Sequence, residues 1–496
     1  MRAENGPLDA LLSATATAGT SACSEADATP LGFLSRADVG AKAADACQDW
    51  AEDGLALAAI APPGLAAGTA ACQRALTATL QRLARDAAVA YGPLCTVRAF
   101  AGTGCDRDRR DARVTALRRQ AVRAISAGCG AAVDGGALVN TAVTRARHFA
   151  QRVFPPNDLG PTADFGPYPV GIATIAFSDP ARRNVAGSGP RPVTVEVYYP
   201  STAAAVAGRP KDVAAVLGIP LLETPSYRDV ALAPDGPYPL VLFSHGNNGI
   251  RIQSFFFAAH LASHGYIVVS PDHHGNTFPD TLAGTVDAQS AVNRPLDIRF
   301  LIDTLLAANG EPGNFFAGAI DPQRIGMSGH SFGGYTTLAL AGGRFAVGTF
   351  TEPRIKAILP QAPAAPFDAA FFAGITVPTL IVGGSIDETT PPADNQQRPF
   401  DHLPSGARVV AYANLTDAGH FTFSDFCEVP RMLLSFLGGF GEACEPRHLP
   451  WRHAHDIVNY LALNFFDAAL RGDAEALARL DPAAVGHIED VVYQRK

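Results

Sequence analysis

A serine hydroxyl becomes a nucleophile only with a base in hydrogen-bond reach and a third group that orients the base. The chain offers such a set in the order Ser331, Asp387, His420. Ser331 stands in Gly329-His330-Ser331-Phe332-Gly333, a Gly-x-Ser-x-Gly run with a further glycine at Gly334. Arg324 to Met327 reads as the end of a buried strand, and Thr336 to Ala341 as helix. The serine therefore falls at a sharp strand-to-helix turn, where the flanking glycines leave room that a Cβ would fill. Such a turn raises the hydroxyl above a sheet, beside a helix N-terminus that favours developing negative charge. Asp387 follows the apolar run ending at Val382-Gly383-Gly384, and His420 follows the last apolar run, in Asp417-Ala418-Gly419-His420-Phe421. They lie 56 and 89 residues beyond the serine, which leaves room for intervening strands.

Other residues compete for these roles. Glu388 neighbours Asp387, but adjacent side chains point apart. Asp417 and Asp425 flank His420 and read as loop caps. Gln361 follows the preceding strand and carries no charge. His245 is expected to pack beneath the site. His273-His274 lacks acidic or cysteine partners at metal-ligand spacing, so neither a metal nor a cofactor is implied. An oxyanion hole needs two backbone N–H donors. Phe332, after the serine, is one; Asn247, in Ser244-His245-Gly246-Asn247 after the apolar run 240–243, is the other. Phe255-Phe256-Phe257, Phe278 and Phe332 are candidates for an apolar acyl pocket, with ordinary core packing as the competing reading of the triple phenylalanine.

The elements around these residues follow from periodicity. Apolar, β-branched runs at Ile172–Phe177 and Val193–Tyr199 read as an antiparallel pair at a sheet edge. Residues 201–237, rich in Ala, Pro and Gly, read as a surface insertion. Further strands are expected at 240–243, 267–270, 355–359, 379–382 and 409–412, with helices at 252–263, 296–308, 429–436 and 457–470. Strands alternating with helices predict a mostly parallel central sheet covered on both faces.

The first third differs. Residues 1–35 carry no period and read as a flexible N-terminal arm. Residues 36–153 are alanine-rich with leucine and valine at helical spacing. Leu76, Leu80, Leu83 and Ala87 mark one stripe; Val114, Leu117, Ala121, Ala124 and Ile125 mark another. A proline-rich linker at 154–168 leads into a catalytic domain at 169–496. Six of the eight cysteines fall in the first 130 residues. Cys72 and Cys95 bracket one helix, and Cys105 and Cys129 the next. In an antiparallel hairpin this pairs Cys72 with Cys129 and Cys95 with Cys105. Cys23 with Cys47 and Cys427 with Cys444 remain. Disulfides imply an oxidising compartment, so a secreted or periplasmic location is expected, although residues 1–22 carry no signal peptide.

The chain has 496 residues, 47% hydrophobic and 17% charged, with a net charge of −8. That balance argues against nucleic acid as a partner, and no apolar run reaches the ~18 residues of a membrane span. Oligomeric state is not legible.

Taken together, Ser-His-Gly-Asn-Asn at 244–248, Ser-Pro-Asp-His-His-Gly-Asn-Thr at 270–277, Gly-His-Ser-Phe-Gly-Gly at 329–334, Gly-Gly-Ser-Ile-Asp-Glu-Thr-Thr-Pro-Pro at 383–392 and Asp-Ala-Gly-His-Phe-Thr-Phe at 417–423 resemble bacterial α/β-hydrolases. The similarity is to the dienelactone hydrolase and platelet-activating-factor acetylhydrolase type, and to polyester hydrolases around the nucleophile. It covers roughly residues 165–475 and implies the α/β-hydrolase fold, in which nucleophile, acid and histidine follow in that order. Dienelactone hydrolases use cysteine where Ser331 stands, so ordinary ester chemistry is implied. Some acetylhydrolases carry the acid at the position of Gln361, a departure that weighs against phospholipid specificity. The resulting expectation is a serine ester hydrolase on small or polymeric esters. Rival readings are a phospholipid deacylase, an acyltransferase or perhydrolase using the same triad, and a binding module with an inactive hydrolase attached.

Overall fold

The computed structural model describes residues 69–91, 107–129, 134–153, 159–160, 162–216, 218–429, 438–445 and 447–496. The chain divides into two compact units: Met1–Asp158 with Cys444–His453, and Leu159–Ala443 with Ala454–Lys496. The arm at 1–35, the pairs Cys23–Cys47 and Cys95–Cys105, and most of the expected helix at 429–436 lie outside the described residues.

Among the described residues, the first unit contains three helices, α1 (Thr69–Tyr91), α2 (Arg107–Cys129) and α3 (Gly135–Val153). Leu76, Leu80, Leu83 and Ala87 of α1 pack with Val114, Ala121 and Ile125 of α2 and with Val139, Val143 and Ala146 of α3. The third helix was not singled out from the sequence. Ala124 is exposed, because the stripe through 114, 121 and 125 leaves it on the flank. Cys72 and Cys129 form a disulfide with Cα atoms 4.6 Å apart, joining the start of α1 to the end of α2.

The second unit is an α/β-hydrolase fold built on a ten-stranded sheet. Its strands are β1 (Val170–Arg183), β2 (Pro190–Pro200), β5 (Ser226–Arg228), β6 (Tyr238–Ser244), β7 (Ile267–Pro271), β8 (Ile320–His330), β9 (Ile355–Gln361), β10 (Thr379–Gly384), β11 (Val410–Leu415) and β12 (Val491–Arg495). They lie in the order β12-β11-β10-β9-β8-β6-β7-β2-β1-β5. The run from β11 to β7 is parallel throughout. Strand β6 is buried at every position, as expected of a continuous apolar run in the middle of a parallel sheet. Helix α5 (Ser290–Asn309) presents Ile298, Leu301, Ile302 and Leu305 to the core at helical spacing.

Two expectations are corrected here. The β1–β2 pair is not at the extreme edge, because β5 adds outside β1. Residues 201–237 are not merely surface: they include a hairpin of β3 (Val213–Val216) and β4 (Ile219–Glu223) in a second sheet, and Val230 and Ala233 join the hydrolase core. The helix expected from Ile252 begins only at Phe255, as α4 (Phe255–Ser263), and the C-terminal helix spans Trp451–Phe466 with a π turn to Arg471.

Sequence order reverses direction around β6: β7 lies on one side of it and β8 on the other. Crevices in open α/β sheets form at the carboxyl ends of strands where the order switches. Ser244, His330, Gln361, Gly384 and Leu415 are the last residues of β6, β8, β9, β10 and β11, and register places them at one end of the sheet.

Candidate active site

Ser331 is the first residue beyond β8 and precedes helix α6 (Phe332–Ala339). Its backbone sits at φ 58° and ψ −115°, a region that costs a non-glycine residue free energy. Neighbouring strands hold it there. The Ser331 N–H donates to the Gln361 carbonyl at 3.0 Å, and the Ser331 carbonyl accepts from Ala364 N–H at 3.0 Å and Tyr335 N–H at 3.1 Å. A Cβ on Gly333 would run into the Ser244 carbonyl, and one on Gly329 would approach the Gly333 and Ser244 carbonyl oxygens at 2.5 and 2.7 Å. Both glycines are therefore required by close approach.

The three residues singled out from the sequence meet at this end of the sheet. His420 Nε2 lies 2.8 Å from Ser331 Oγ, and His420 Nδ1 lies 2.9 Å from Asp387 Oδ2. All three are buried, with Ser331 9% exposed and so the most open to solvent. With Nδ1–H donated to the carboxylate, Nε2 is left to accept the serine proton. Asp387 Oδ1 accepts from the N–H groups of Thr389 (2.9 Å) and Thr390 (2.7 Å), an Asx-type turn that aims the other oxygen at the imidazole. The Thr390 hydroxyl lies 2.8 Å from Asp387 Oδ2 and 3.1 Å from both His420 Nδ1 and the Ala362 carbonyl.

The rival residues sit elsewhere. Glu388 is exposed. Asp417 adopts φ 60° in the loop, its N–H bonded to Ser385 Oγ. Asp425 Oδ2 accepts from Phe256 N–H at the start of α4. Gln361 is fully buried and its Nε2 donates to Ser328 Oγ at 3.2 Å. Phe255, Phe256 and Phe257 are packed core, because α4 is buried along its whole length. Phe278 and Phe332 are partly exposed.

The loop after β6 carries Asn247. Its Oδ1 accepts from Asn276 Nδ2 at 2.8 Å. Phe332 opens α6, so its N–H has no carbonyl one turn earlier within the helix. Gln253 joins this loop to the serine turn: its Oε1 accepts from Gly246 N–H at 3.0 Å and its Nε2 meets His330 Nδ1 at 2.9 Å. His330 Nε2 in turn meets the His420 carbonyl at 2.9 Å. Burial, and then the neighbouring His420, hold His330 well below the usual imidazole range, so it stays neutral.

Beneath the loop, His245 Nδ1 bonds the Gly246 carbonyl at 2.7 Å and Nε2 accepts from His273 N–H at 3.1 Å. His273 connects Ser244 Oγ (2.8 Å) to Asp297 (3.0 Å). His274 accepts from Val185 N–H at 3.2 Å. These histidines are occupied as structural groups. Thr390, Gln253 and Arg294 were not singled out from the sequence. Only Thr390 left a local signal, a threonine three residues after an aspartate in a turn-forming, proline-ended run.

Residues 245–440 match the family model described as PET hydrolase-like. Cutinase est1 of Thermobifida alba is 29% identical over 184 residues, covering 37% of this chain and 54% of that protein. A bis(hydroxyethyl) terephthalate hydrolase of Streptomyces coelicolor is 28% identical over 189 residues, covering 38% and 52%. The chain thus spans about half the length of these curated relatives. A ferulic acid esterase structure from Streptomyces cinnamoneus aligns over 66% of this chain and 97% of its own, with 24% identity and a TM-score of 0.49. The segment that carries Asn247, Ser331, Asp387 and His420 is therefore the segment similar to the polyester-hydrolase branch of the α/β-hydrolases.

Proposed function

We propose that the second unit is a serine carboxylic-ester hydrolase that accepts polyester-type esters and works through an acyl-enzyme. The supporting observation is the hydrogen-bonded line Ser331–His420–Asp387, at 2.8 and 2.9 Å, on a strained strand-to-helix turn. Ser331 Oγ attacks the ester carbonyl while His420 Nε2 takes its proton. Asp387 holds the imidazole in the useful tautomer and stabilises the imidazolium. The Asn247 and Phe332 N–H groups receive the oxyanion. His420 returns the proton to the departing alcohol; water, activated by the same imidazole, then releases the acid. The similarity to cutinases and to a bis(hydroxyethyl) terephthalate hydrolase supports esters of this kind as substrates. The Cys72–Cys129 bridge, with Cys427 and Cys444 each disulfide-bonded, supports a secreted or periplasmic setting.

A panel of chromogenic esters from acetate to palmitate, run beside bis(hydroxyethyl) terephthalate, a phospholipid and a polyester film, tests the reading. Ser331→Ala is expected to lose hydrolysis by several orders of magnitude. An organophosphonate is expected to label Ser331; a label on another serine of the intact protein would overturn the assignment.

A further inference from the structure

Arg294, on helix α5, is fully buried beneath the loop that carries Asn247. Its guanidinium donates to five neutral acceptors. Nε reaches Thr336 Oγ1 at 3.3 Å; Nη1 reaches the Gly246 carbonyl at 3.4 Å and, closely, Asn276 Oδ1. Nη2 reaches Ser244 Oγ at 3.1 Å and, closely, the His245 carbonyl. No carboxylate among the described residues pairs with it. Asp297, one turn further along α5, is engaged by Arg191 at 2.8 Å, Arg182 at 2.7 Å and His273 at 3.0 Å. Burial pushes the Arg294 guanidinium down to about 9.

The acceptors matter because of what they belong to. The Gly246 carbonyl and the Asn247 N–H are two ends of one peptide. That peptide is trans, so its N–H points away from its carbonyl. Three donors hold the carbonyl: His245 Nδ1 at 2.7 Å, Gly249 N–H at 3.1 Å and Arg294 Nη1 at 3.4 Å. Donation to a carbonyl also polarises the amide and strengthens its N–H as a donor. The Asn247 side chain traces to the same arginine, since Asn276 accepts from Arg294 and donates to Asn247 Oδ1. On its other side the guanidinium lies 4.6 Å from the centre of the Phe332 ring, the residue after the serine. A cation buried against neutral groups costs stability. An apolar side chain would leave these five buried acceptors without this donor, so apolar packing does not account for the arginine.

We propose that Arg294 is a positioning residue of the oxyanion site: its fork fixes the Gly246–Asn247 peptide with its N–H toward the ester, and its positive charge, in contact with no carboxylate, favours the oxyanion formed there. The proposal rests on the ester-hydrolase reading of Ser331, His420 and Asp387. It predicts that Arg294 acts on turnover more than on substrate binding, because the oxyanion exists only in the transition state and the intermediate.

The test uses the full chain, wild type beside Arg294→Met and Arg294→Lys. Active sites are counted by stoichiometric organophosphonate labelling, so that turnover is expressed per competent site and losses from misfolding drop out. Removing one oxyanion donor outright costs roughly 10²–10³-fold, so loss of its support in Arg294→Met is expected to lower kcat per site by roughly 10- to 100-fold. KM for a nitrophenyl ester is expected to stay within about threefold. An aryl trifluoromethyl ketone, whose hemiketal alkoxide occupies the same site, is expected to bind more weakly by the factor lost in kcat/KM. Arg294→Lys keeps the charge but not the fork and is expected to lose roughly tenfold per site. A merely structural role would give fewer labelled sites, each with wild-type turnover. That result, in whichever variant retains labelled sites, overturns the proposal. Wild-type protein not labelled at Ser331 would instead overturn the ester-hydrolase reading beneath it.

Discussion

Acid should unfold the hydrolase unit through its buried histidines. His245, His260, His273 and His330 are each at most 1% exposed. Burial is the largest cause in every case: it pushes His260 and His273 down to about 3 and holds His245 and His330 well below the ordinary imidazole value. The native state therefore keeps all four neutral at pH 5, whereas unfolded imidazoles with pKa ~6.5 are about 97% protonated there. The sign follows. A group whose folded pKa is depressed contributes stability above its unfolded pKa, and loses it as pH falls toward the folded value. Between pH 7.5 and 5 each histidine withdraws about 2 kcal/mol, so four withdraw about 8 kcal/mol, comparable with the whole stability of a typical domain. Near pH 5 the unfolding free energy should change by about 5 kcal/mol per pH unit, the signature of four protons taken up. Urea unfolding followed by circular dichroism at pH 7.5, 6.5, 5.5 and 5.0 measures this. His260→Leu, which removes one of the four while leaving the Ser331–His420–Asp387 hydrogen bonds intact, should lower the slope by about 1.4 kcal/mol per unit. A slope equivalent to one proton or fewer in the wild type would refute the reasoning.

Two other outcomes are expected. Asp387→Asn should lower kcat by about 10⁴-fold by favouring the wrong imidazole tautomer. Asp417→Asn, which keeps a residue tolerant of φ 60°, should retain most activity; steady-state kinetics on one ester distinguish the two, and the reverse ranking would mean that the wrong carboxylate was chosen. Replacing Cys72 and Cys129 together by alanine opens a cross-link of sequence separation 57. Chain-entropy arguments put that loss at about 4 kcal/mol, read as a lower melting temperature of the helical unit.

The parallel sheet was legible because apolar runs of strand length alternate with helical stretches, and each lies close to the expected place. The positions of Ser331, Asp387 and His420 were legible because each follows such a run directly, and the glycines at 329 and 333 mark close backbone approach. What stayed hidden is non-local. Arg294 reads as one arginine on a helix, and only the fold brings it under a loop some 47 residues earlier. Gln253 likewise gains meaning only when β6 and β8 lie side by side. Strand β12 is short, and its Val491-Val492-Tyr493 run of three residues ahead of Gln494-Arg495 falls below the length at which a strand is read from sequence. The triple phenylalanine stayed open between two readings because an apolar cluster near a site looks the same whether it faces the substrate or the core.

The sheet order also has a temporal meaning. Strand β11, whose loop carries His420, is covered on its outer side only by β12, through antiparallel pairing of Ala411–Leu415 with Val491–Arg495. Leu415, the last residue of β11, is synthesised 76 residues before Val491. At roughly 5–20 residues per second, about 4–15 s separate the two. Throughout that interval the strand beside the histidine presents an unpaired edge, a template for joining another nascent chain. Yield of active protein should therefore respond to chaperone supply and synthesis rate during these seconds, independently of any residue that touches substrate.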